Sequence, residues 1–453
     1  MRQLPCVFLI MVIVCSVFFV GGVRASTPVN GILTSNTTWT VAQSPIQLAG
    51  PVCVFNGATL TIEPGVTVDF GRYYLQVNGT LVARGTSDNK IYMTSTDTSS
   101  NPDQIQFYPS STAWNEATSS GSIIENVVFN KIMIQAKGCS PKIANNVFND
   151  PSSWMAIYGT GGGSLIITGN VIQGDLQEGI SVGGSSVVTG NFFNTTGRGM
   201  ATAIVAHENT YVANNKIMNY YIGVTADAHS TVTGNVIAYC SEAGIWSISP
   251  DVNIHNNYIM NCRVGLKAGG NIQSNTIINN NIGIQTASPF IQTTIKNNNI
   301  VGSNQSFTVQ TSQDVDVTNN WWGTTDTAAL NQSIWDRNDD FNLGTANYVP
   351  FLTAPDPSAP TSADIDLTAI TTPPPPTSPT QEPTAPTSPT PTASNETTQP
   401  PLDQNPVTQP QPADANTPFN RTFYVVAVAI GIAVAVIILL AVVVYRSKDK
   451  PEP

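Results

Sequence analysis

Residues 223–237 read Gly223-Val-Thr-Ala-Asp-Ala-His-Ser-Thr-Val-Thr-Gly-Asn-Val-Ile237. This stretch holds short runs in which aliphatic or β-branched residues alternate with small or polar ones, punctuated by Gly, Asn, Ser or Asp. This period-two alternation is typical of strands, and no apolar pattern of helical period and length occurs between Gly31 and Val349. The stretch therefore predicts short β-strands joined by tight turns.

The phrase that closes this stretch, Gly234-Asn235-Val236-Ile237, has ten copies between Glu125 and Trp322, about 22 residues apart. A fixed period of this size indicates a solenoid. Counting the second residue of each pair, the repeated residues are Asn126, Asn146, Asn170, Asn191, Asn215, Asn235, Asn257, Asn275, Asn298 and Asn320.

Three short strands per period predict an all-β fold, a right-handed parallel β-helix with its repeats at residues 125–322, in which coils pair at a spacing of about 4.8 Å. We expect the repeated Asn to adopt the left-handed conformation at a corner and to pair with the Asn of the next coil in a ladder. A second phrase, such as Gly223-Val224 or Gly244-Ile245, follows about nine residues later. There we expect Gly to make a bend and the aliphatic residue to enter the core.

Both ends of the solenoid need covers, because bare terminal coils pair edge to edge with other chains. Residues 26–124 are predicted to hold an N-terminal cap and the first coils. Residues 323–354 follow Asn319-Asn-Trp-Trp322 and are predicted to form a C-terminal cap that large aromatic side chains close.

Two apolar segments indicate export and membrane attachment. Residues 1–25 combine Arg2, an apolar run and small residues near the end, the pattern of a secretory signal peptide. Residues 422–445 are long and apolar enough to span a bilayer as one helix. Basic residues follow it, so the positive-inside rule places the tail, residues 446–453, in the cytoplasm and the bulk of the chain outside.

A linker is predicted at residues 355–418, which hold 18 of the 32 prolines among Thr, Ser, Gln and Ala. Such a segment cannot bury a core and favours an extended stalk. Asn-x-Ser/Thr sequons in an exported chain are candidates for N-glycosylation. They are Asn36, Asn78, Asn194, Asn304, Asn331, Asn395 and Asn420.

Composition argues against one class of partner. Only 10% of residues are charged, the net charge is -11 and the pI is about 4.6. No basic face is therefore expected to neutralise phosphates, and nucleic acid is not a predicted partner. The Cys and His spacings of metal sites do not occur, so we predict neither a metal nor a cofactor.

Several phrases carry a resemblance to a known family: the opening Gly57-Ala-Thr-Leu-Thr-Ile-Glu-Pro-Gly-Val66, the segment Asn78-Gly-Thr-Leu-Val-Ala-Arg-Gly-Thr86, the Asn-x-Ile coils and the close Asn319-Asn-Trp-Trp-Gly323. The chain resembles the secreted right-handed parallel β-helix repeat proteins of bacteria and archaea. These belong to the pectin-lyase-like superfamily and include NosD-like proteins. The resemblance covers roughly residues 30–352 and implies the fold. It leaves the activity open, because the superfamily holds lyases, hydrolases, epimerases and adhesins.

The enzymes of this superfamily cluster acidic residues on adjacent coils. When the coils are aligned on their Gly-aliphatic phrase, His207 and Asp227 fall in one column, with Glu208 and His229 close by. We therefore identify His207, Asp227 and Glu208 as candidate catalytic residues for acid–base chemistry. The alternative is a polar rim of a turn, since no second column of carboxylates accompanies them.

Two other columns carry candidates. Trp246 and Lys267 fall in an outward stripe and are candidate ligand-binding residues, because an indole can stack on a sugar ring; the alternative is an isolated surface aromatic. Glu242 falls beside Arg263, which indicates an exposed salt bridge worth under about 1 kcal/mol.

Cys240 and Cys262 each stand five residues after the repeated Asn of adjacent coils. Their Cα atoms are predicted to lie about 5 Å apart, within reach of a disulfide. The alternative is a reduced pair stacked in the core.

Three functions are consistent with the sequence. The first is a membrane-anchored cell-surface module without catalysis, for adhesion, envelope structure or carbohydrate binding, with glycans or surface proteins as partners. The second is a membrane-tethered polysaccharide lyase or glycoside hydrolase that uses His207, Asp227 and Glu208. The third is an accessory to metal delivery by analogy with NosD, although the chain has only three His and no soft-ligand spacing.

Overall fold

The structure is a computed structural model that describes residues 25–95, 103–149, 155–174, 176–195, 199–247, 249–286 and 293–365. Several predicted features lie outside these ranges: residues 1–24 of the signal region, residues 366–418 of the linker, the span at 422–445, the tail at 446–453, and Asn395 and Asn420. Within the described ranges, no helix combines the length and apolar character that crossing a bilayer requires.

The chain winds into coils, and three walls of parallel strands run along the solenoid. The first wall holds Thr27–Leu33, Ile46–Val54, Leu75–Val77, Asp103–Phe107, Met133–Lys137, Met155–Thr160, Glu178–Val182, Thr202–Ala206, Ile222–Ala226, Ala243–Ser247, Val264–Ala268, Ile282–Thr286, Gln305–Thr308 and Ile334–Trp335. The second holds Thr37–Trp39, Thr59–Ile62, Thr80–Arg84, Ile123–Glu125, Lys142–Ala144, Ile166–Thr168, Val187–Thr189, Tyr211–Ala213, Thr231–Thr233, Asn253–His255, Gly270–Gln273 and Thr293–Lys296.

The third wall holds Thr67–Asp69, Ile91–Thr94, Val127–Asn130, Val147–Asn149, Val171–Gln173, Phe192–Asn194, Lys216–Met218, Val236–Ala238, Tyr258–Met260, Thr276–Ile278 and Asn299–Val301. The strands Thr27–Leu33 and Ile46–Val54 join the first and third walls into one sheet. Within the described ranges, the remaining elements are the short pair Val315–Asp316 and Ala346–Asn347, 3₁₀ turns at Val41–Gln43 and Ser362–Asp364, and one α-helix at Thr327–Ser333. The predicted all-β parallel β-helix is confirmed.

The core consists of aliphatic side chains stacked coil upon coil. In the first wall, Ile204 pairs with Val224, which pairs with Ile245 and then with Leu266, and these side chains are fully buried. Because each inward residue packs on its equivalent one coil away, β-branched and aliphatic residues recur at one offset.

The Asn ladder exists, but the ladder Asn does not make the turn. The sequence assigned both the left-handed turn and the ladder bond to one residue, and the structure divides them between two consecutive residues. The residue before the ladder Asn takes the left-handed conformation, for example Asn214 at φ 54° and Gly234 at φ 64°. The ladder Asn itself points inward and is fully buried, as at Asn235. The ladder comprises Asn146, Asn170, Asn191, Asn215, Asn235, Asn257, Asn275, Asn298 and Asn320.

The first copy of the phrase departs from this pattern. Asn126 takes the left-handed conformation at φ 53°, so Val127 occupies the ladder position. The backbone amide of Val127 donates to Asn146 Oδ1 at 2.9 Å, and the ladder therefore begins one coil later than the phrase.

The prediction that Gly of the second phrase makes a bend is wrong. Gly223 and Gly244 lie inside first-wall strands, are buried, and are not among the residues of positive φ. A Cβ on Gly223 would stand 2.5 Å from the carbonyl oxygen of Gly244 and 2.7 Å from Ile237 Cγ2. Glycine is needed because the backbone of the next coil passes close by, not because the chain turns.

The C-terminal end is covered by aromatic and helical elements. Trp322 is buried and its ring meets that of Phe307 edge to face at 6.5 Å. Leu330 of the α-helix is fully buried beneath the last coil. Trp335 is 40% exposed, so only part of the expected aromatic cover forms.

Residues 355–365 were expected to begin the stalk, but they lie along the coils. The amide of Asp356 donates to Asn299 Oδ1 at 2.7 Å, and Asn256 Nδ2 donates to the carbonyl of Ser358 at 2.8 Å. Ile365 packs against an apolar cluster on the outside of the third wall that includes Met218 and Phe192. Proline-rich composition did not predict these side-chain contacts, which hold the start of the predicted linker against the third wall.

Candidate functional site

His207 and Asp227 lie where two neighbouring first-wall strands end. The amide of His207 donates to the carbonyl of Val182 at 2.8 Å, and the amide of Asp227 donates to that of Ala206 at 2.8 Å. Because these bonds continue the register of the wall past the strand ends, the two residues stack at one corner of adjacent coils. This is the column that the sequence alignment predicted.

The two side chains meet, and His207 also reaches a third residue. Its Nδ1 lies 3.3 Å from Asp227 Oδ2, and its Nε2 lies 3.2 Å from Ser181 Oγ, one coil before. The side chains of His207 and Asp227 are about half exposed, at 49% and 46%, whereas Ser181 is 3% exposed. The three residues form a row across three coils, which we call the corner row.

Open space adjoins the corner row. A depression of about 250 Å³ is lined by Tyr158, His207 and the glycines at 159, 161–163, 183 and 184. Gly161, Gly162 and Gly184 have φ of 74°, 79° and 68°, so the corner requires glycine and leaves bare backbone at the surface. A shallow neighbour of about 450 Å³ is lined by His207, Glu208 and Asp227 among others.

Glu208 lies at this corner but does not join the corner row. Among the described residues, its carboxylate has no hydrogen-bond or ion-pair partner, while its carbonyl accepts from the amide of Gly184 at 3.2 Å. His229 has φ of 61° and is exposed. Ser181 was not predicted as a site residue, because the alignment placed it in the stripe of Trp246. Its contact with His207 is diagonal, two positions and one coil away, and columns do not display diagonal contacts.

The second candidate region is the cluster of Glu242, Trp246, Arg263 and Lys267 on the first wall, which we call the cation cluster. Arg263 Nε and Nη2 both donate to Glu242 Oε2, the former at 2.9 Å, and Lys267 Nζ donates to Oε1 at 3.1 Å. Lys267 Nζ also lies 4.3 Å from the centroid of the Trp246 ring. Two cations thus share one carboxylate, beside an indole that the Lys267 ammonium partly covers.

The expected salt bridge of Glu242 and Arg263 forms, but the expectation that it is exposed is wrong. Glu242 is 8% exposed, because the long side chains of Arg263 and Lys267 lie over it. Burial alone would raise the pKa of Glu242, but the hydrogen bonds and charges of Arg263 and Lys267 outweigh burial and hold that pKa below its ordinary value.

This geometry predicts acid sensitivity. Because the folded pKa of Glu242 lies below its unfolded value of about 4.3, its stabilisation is complete above that value and is lost as pH falls through the folded pKa. We expect the unaltered protein to lose more unfolding free energy than Glu242→Gln between pH 6 and pH 3. Urea denaturation across that range measures the difference, and parallel pH profiles for the two proteins would contradict it.

The cysteines of adjacent coils stack as free thiols. Cys240 and Cys262 are buried and unbridged, and the amide of Cys240 points to Cys262 Sγ at 3.4 Å. This geometry is the reduced, stacked arrangement that the sequence left open. The hydrogen bond with Cys262, and then burial, raises the pKa of Cys240 well above its ordinary value, so little reactive thiolate forms at neutral pH.

Five of the candidate glycosylation sites lie in the described ranges. Asn36, Asn304 and Asn331 are exposed, which an attached glycan requires. Asn78 and Asn194 are half-buried, and Asn194 Oδ1 accepts from Asn219 Nδ2 at 2.9 Å. Glycosylation at Asn36 and Asn331 is therefore compatible with the fold as it stands, whereas Asn304 Nδ2 already donates to Asn281 Oδ1 at 2.9 Å.

A protein-family model matches part of the coiled region. Residues 155–300 match the family model described as a right handed beta helix region. Among solved structures, the chain is similar to the periplasmic alginate epimerase AlgG, at 13% identity over 67% of this chain and 74% of that chain, with a TM-score of 0.29. A single-site mutant of AlgG gives 12% identity over 66% and 74%, with a TM-score of 0.26. No curated protein matches the sequence. The coil register and the matched region together identify the chain as a right-handed parallel β-helix repeat protein.

Proposed function

We propose that this protein is a membrane-anchored cell-surface β-helix that binds acidic carbohydrate at the cation cluster. The observation that carries the proposal is the charge of that cluster. Glu242 carries one negative charge and Arg263 and Lys267 carry two positive charges, so one positive charge remains beside the Trp246 indole. An aromatic ring next to an unbalanced cation suits a sugar that bears a carboxylate.

The negative net charge of the whole chain also favours binding of an acidic ligand at this cluster. The protein carries a net charge of -11, so a polyanionic glycan is repelled by most of its surface and attracted at this cluster. Glu242 holds both cations in place before a ligand arrives, which lowers the entropy lost on binding. Its burial keeps the carboxylate away from the ligand.

Support for the cellular location comes from the sequence. The signal region, the Pro-rich linker and the apolar segment at 422–445 favour a β-helix held outside the membrane on a stalk. Fractionation of cells that express the full chain tests this location. We expect the protein to stay with membranes after carbonate extraction and to be released when the chain is truncated after residue 420.

Binding of uronic-acid polysaccharides to the full-length protein tests the proposed ligand class. Lys267→Met removes the residual positive charge, and we expect it to weaken binding about tenfold or more, because charge-assisted hydrogen bonds contribute about 1.5–3 kcal/mol. Trp246→Ala should weaken it similarly. Thr225→Ala, in the same column one coil before Trp246, is the matched control. Equal binding of neutral and acidic glycans, or unchanged binding by Lys267→Met, would overturn the proposal.

A second candidate function is cleavage of polysaccharide, favoured by the 3.3 Å contact of His207 with Asp227 beside an open depression. If the protein cleaves polysaccharide, we expect Asp227→Ala to abolish depolymerisation of a uronic-acid polymer. Lys267→Met should mainly raise the polymer concentration at which the rate is half-maximal.

A further inference from the structure

We propose that Ser181, His207 and Asp227 form an acyl-transfer triad that hydrolyses short-chain carboxylic esters. This activity goes beyond carbohydrate binding and does not rest on it. The distances that support it are 3.2 Å from Ser181 Oγ to His207 Nε2 and 3.3 Å from His207 Nδ1 to Asp227 Oδ2. Both imidazole nitrogens are therefore engaged, one by a hydroxyl and the other by a carboxylate.

This order of groups defines the role of each. Asp227 accepts a hydrogen bond from Nδ1–H, which fixes the tautomer and leaves Nε2 as the acceptor for the Ser181 hydroxyl. A two-carboxylate glycosidase needs a second acid across the scissile bond. At this corner Glu208 has no bond to the histidine, whereas a serine does. The corner row is thus arranged for a nucleophile, a base and a group that orients the base.

The backbone fixes the spacing of the three residues. Ser181 lies inside the strand Glu178–Val182, and His207 follows the strand paired with it. The carbonyl of His207 also accepts hydrogen bonds from Thr210 Oγ1 at 2.7 Å and Ser230 Oγ at 2.9 Å. A site built on paired strands and held by such bonds keeps its geometry better than a site on a loop.

The depression next to the corner row indicates which acyl group fits. Tyr158, the register partner of Ser181, and His207 both line it, and Ser181 lies beside these two residues at 3% exposure without lining the depression itself. Most of the remaining lining is glycine backbone, where the amide of Gly184 donates to the carbonyl of Glu208 at 3.2 Å. A volume of about 250 Å³, open to solvent, suits a short acyl chain such as acetyl.

The reaction balances without a cofactor. His207 Nε2 takes the proton of Ser181 as Oγ attacks the carbonyl carbon, and the C–O bond to the alcohol breaks as His207 returns that proton to the leaving oxygen. Water then attacks the acyl-serine while His207 takes a proton from it, and the Ser181 Oγ–acyl bond breaks as His207 returns that proton to Oγ. The sum is ester plus water giving carboxylic acid plus alcohol.

Two measurements on the full-length protein test the proposal. A fluorophosphonate probe forms a covalent adduct with an activated serine and releases fluoride, and we expect mass spectrometry to place the adduct on Ser181. Hydrolysis of p-nitrophenyl acetate should fall at least about 100-fold in Ser181→Ala and in His207→Gln. Asp227→Asn should lower kcat while leaving KM nearly unchanged, because Asp227 acts through His207.

Thr225→Ala is the matched control, since it removes a hydroxyl at the same strand position two coils further on. It should leave hydrolysis and labelling unchanged. Labelling of the unaltered protein does not depend on whether any variant folds. Absence of an adduct on Ser181, or hydrolysis that survives in a folded Ser181→Ala variant, would overturn the proposal. Binding of acidic carbohydrate is measured in a separate experiment. A negative result for ester hydrolysis therefore does not decide the carbohydrate-binding proposal, and the reverse also holds.

Discussion

Asn235→Leu is expected to lower the free energy of unfolding by about 4 kcal/mol or more, because it removes one member of the buried ladder and leaves several polar groups without partners. Asn235 is fully buried. Its Oδ1 accepts from the backbone amide and the Nδ2 of Asn215, both at 2.9 Å. Its Nδ2 donates to the carbonyl of Val212 at 3.0 Å and to Asn257 Oδ1 at 2.9 Å.

Leucine has nearly the same volume, so the expected cost comes from the unpaired groups and not from a cavity. Each buried donor or acceptor that loses its only partner costs about 1–3 kcal/mol, and at least the two Asn215 donors are affected. Urea denaturation followed by circular dichroism measures the change. The ladder also predicts that Asn215→Leu and Asn257→Leu have costs of similar size.

The matched control is Asn253→Leu. Asn253 lies on the second wall, is exposed, and accepts from Asn271 Nδ2 at 3.2 Å, so it is also an Asn paired with an Asn one coil away. Water replaces that bond when it is lost, and we expect a change within about 0.5 kcal/mol. Similar losses for Asn235→Leu and Asn253→Leu would show that burial of the ladder is not what makes it stabilising.

The sequence predicts the solenoid well because the same phrase recurs many times at a nearly constant spacing. The copies of one phrase set the register, and Val224 and Ile245 occupy the core positions that the alignment assigned to them. The separate roles of the two residues in each pair were harder to predict. A Gly-Asn pair and an Asn-Asn pair both fit a turn, and only the backbone shows that the first residue of each bends while the second bonds inward.

The candidate site could be predicted only in part, because column alignment captures stacking between coils and no other contact. Column alignment shows which residues stack, and it placed His207 above Asp227. It does not show how far a side chain reaches along the diagonal, so it missed the bond from His207 to Ser181. It also does not show which surface residues long side chains cover, so Glu242 was expected to be exposed when Arg263 and Lys267 bury it.

The sequence assigned Gly244 to a bend, and the structure assigns it to a close approach between coils. A Cβ on Gly244 would stand 2.6 Å from Ile259 Cγ2 and 2.7 Å from the carbonyl oxygen of Gly265. Ile259 is fully buried in the core, and the Gly265 carbonyl belongs to the backbone of the paired strand, so neither atom moves without disturbing the coil stacking.

We therefore expect Gly244→Val to lower the free energy of unfolding by about 3 kcal/mol or more, with Gly244→Ala intermediate. At a site with room, Gly→Ala tends to stabilise a protein by reducing the entropy of the unfolded chain, so a loss on Gly244→Ala itself points to steric overlap. Gly199→Val is the matched control, because Gly199 is exposed and has no atom within 4 Å of a built Cβ. We expect it to change stability by less than about 0.5 kcal/mol. If Gly244→Val and Gly199→Val unfold at the same urea concentration, the coils can separate enough to admit a side chain, and the Gly-aliphatic phrase must then be explained by something other than close contact.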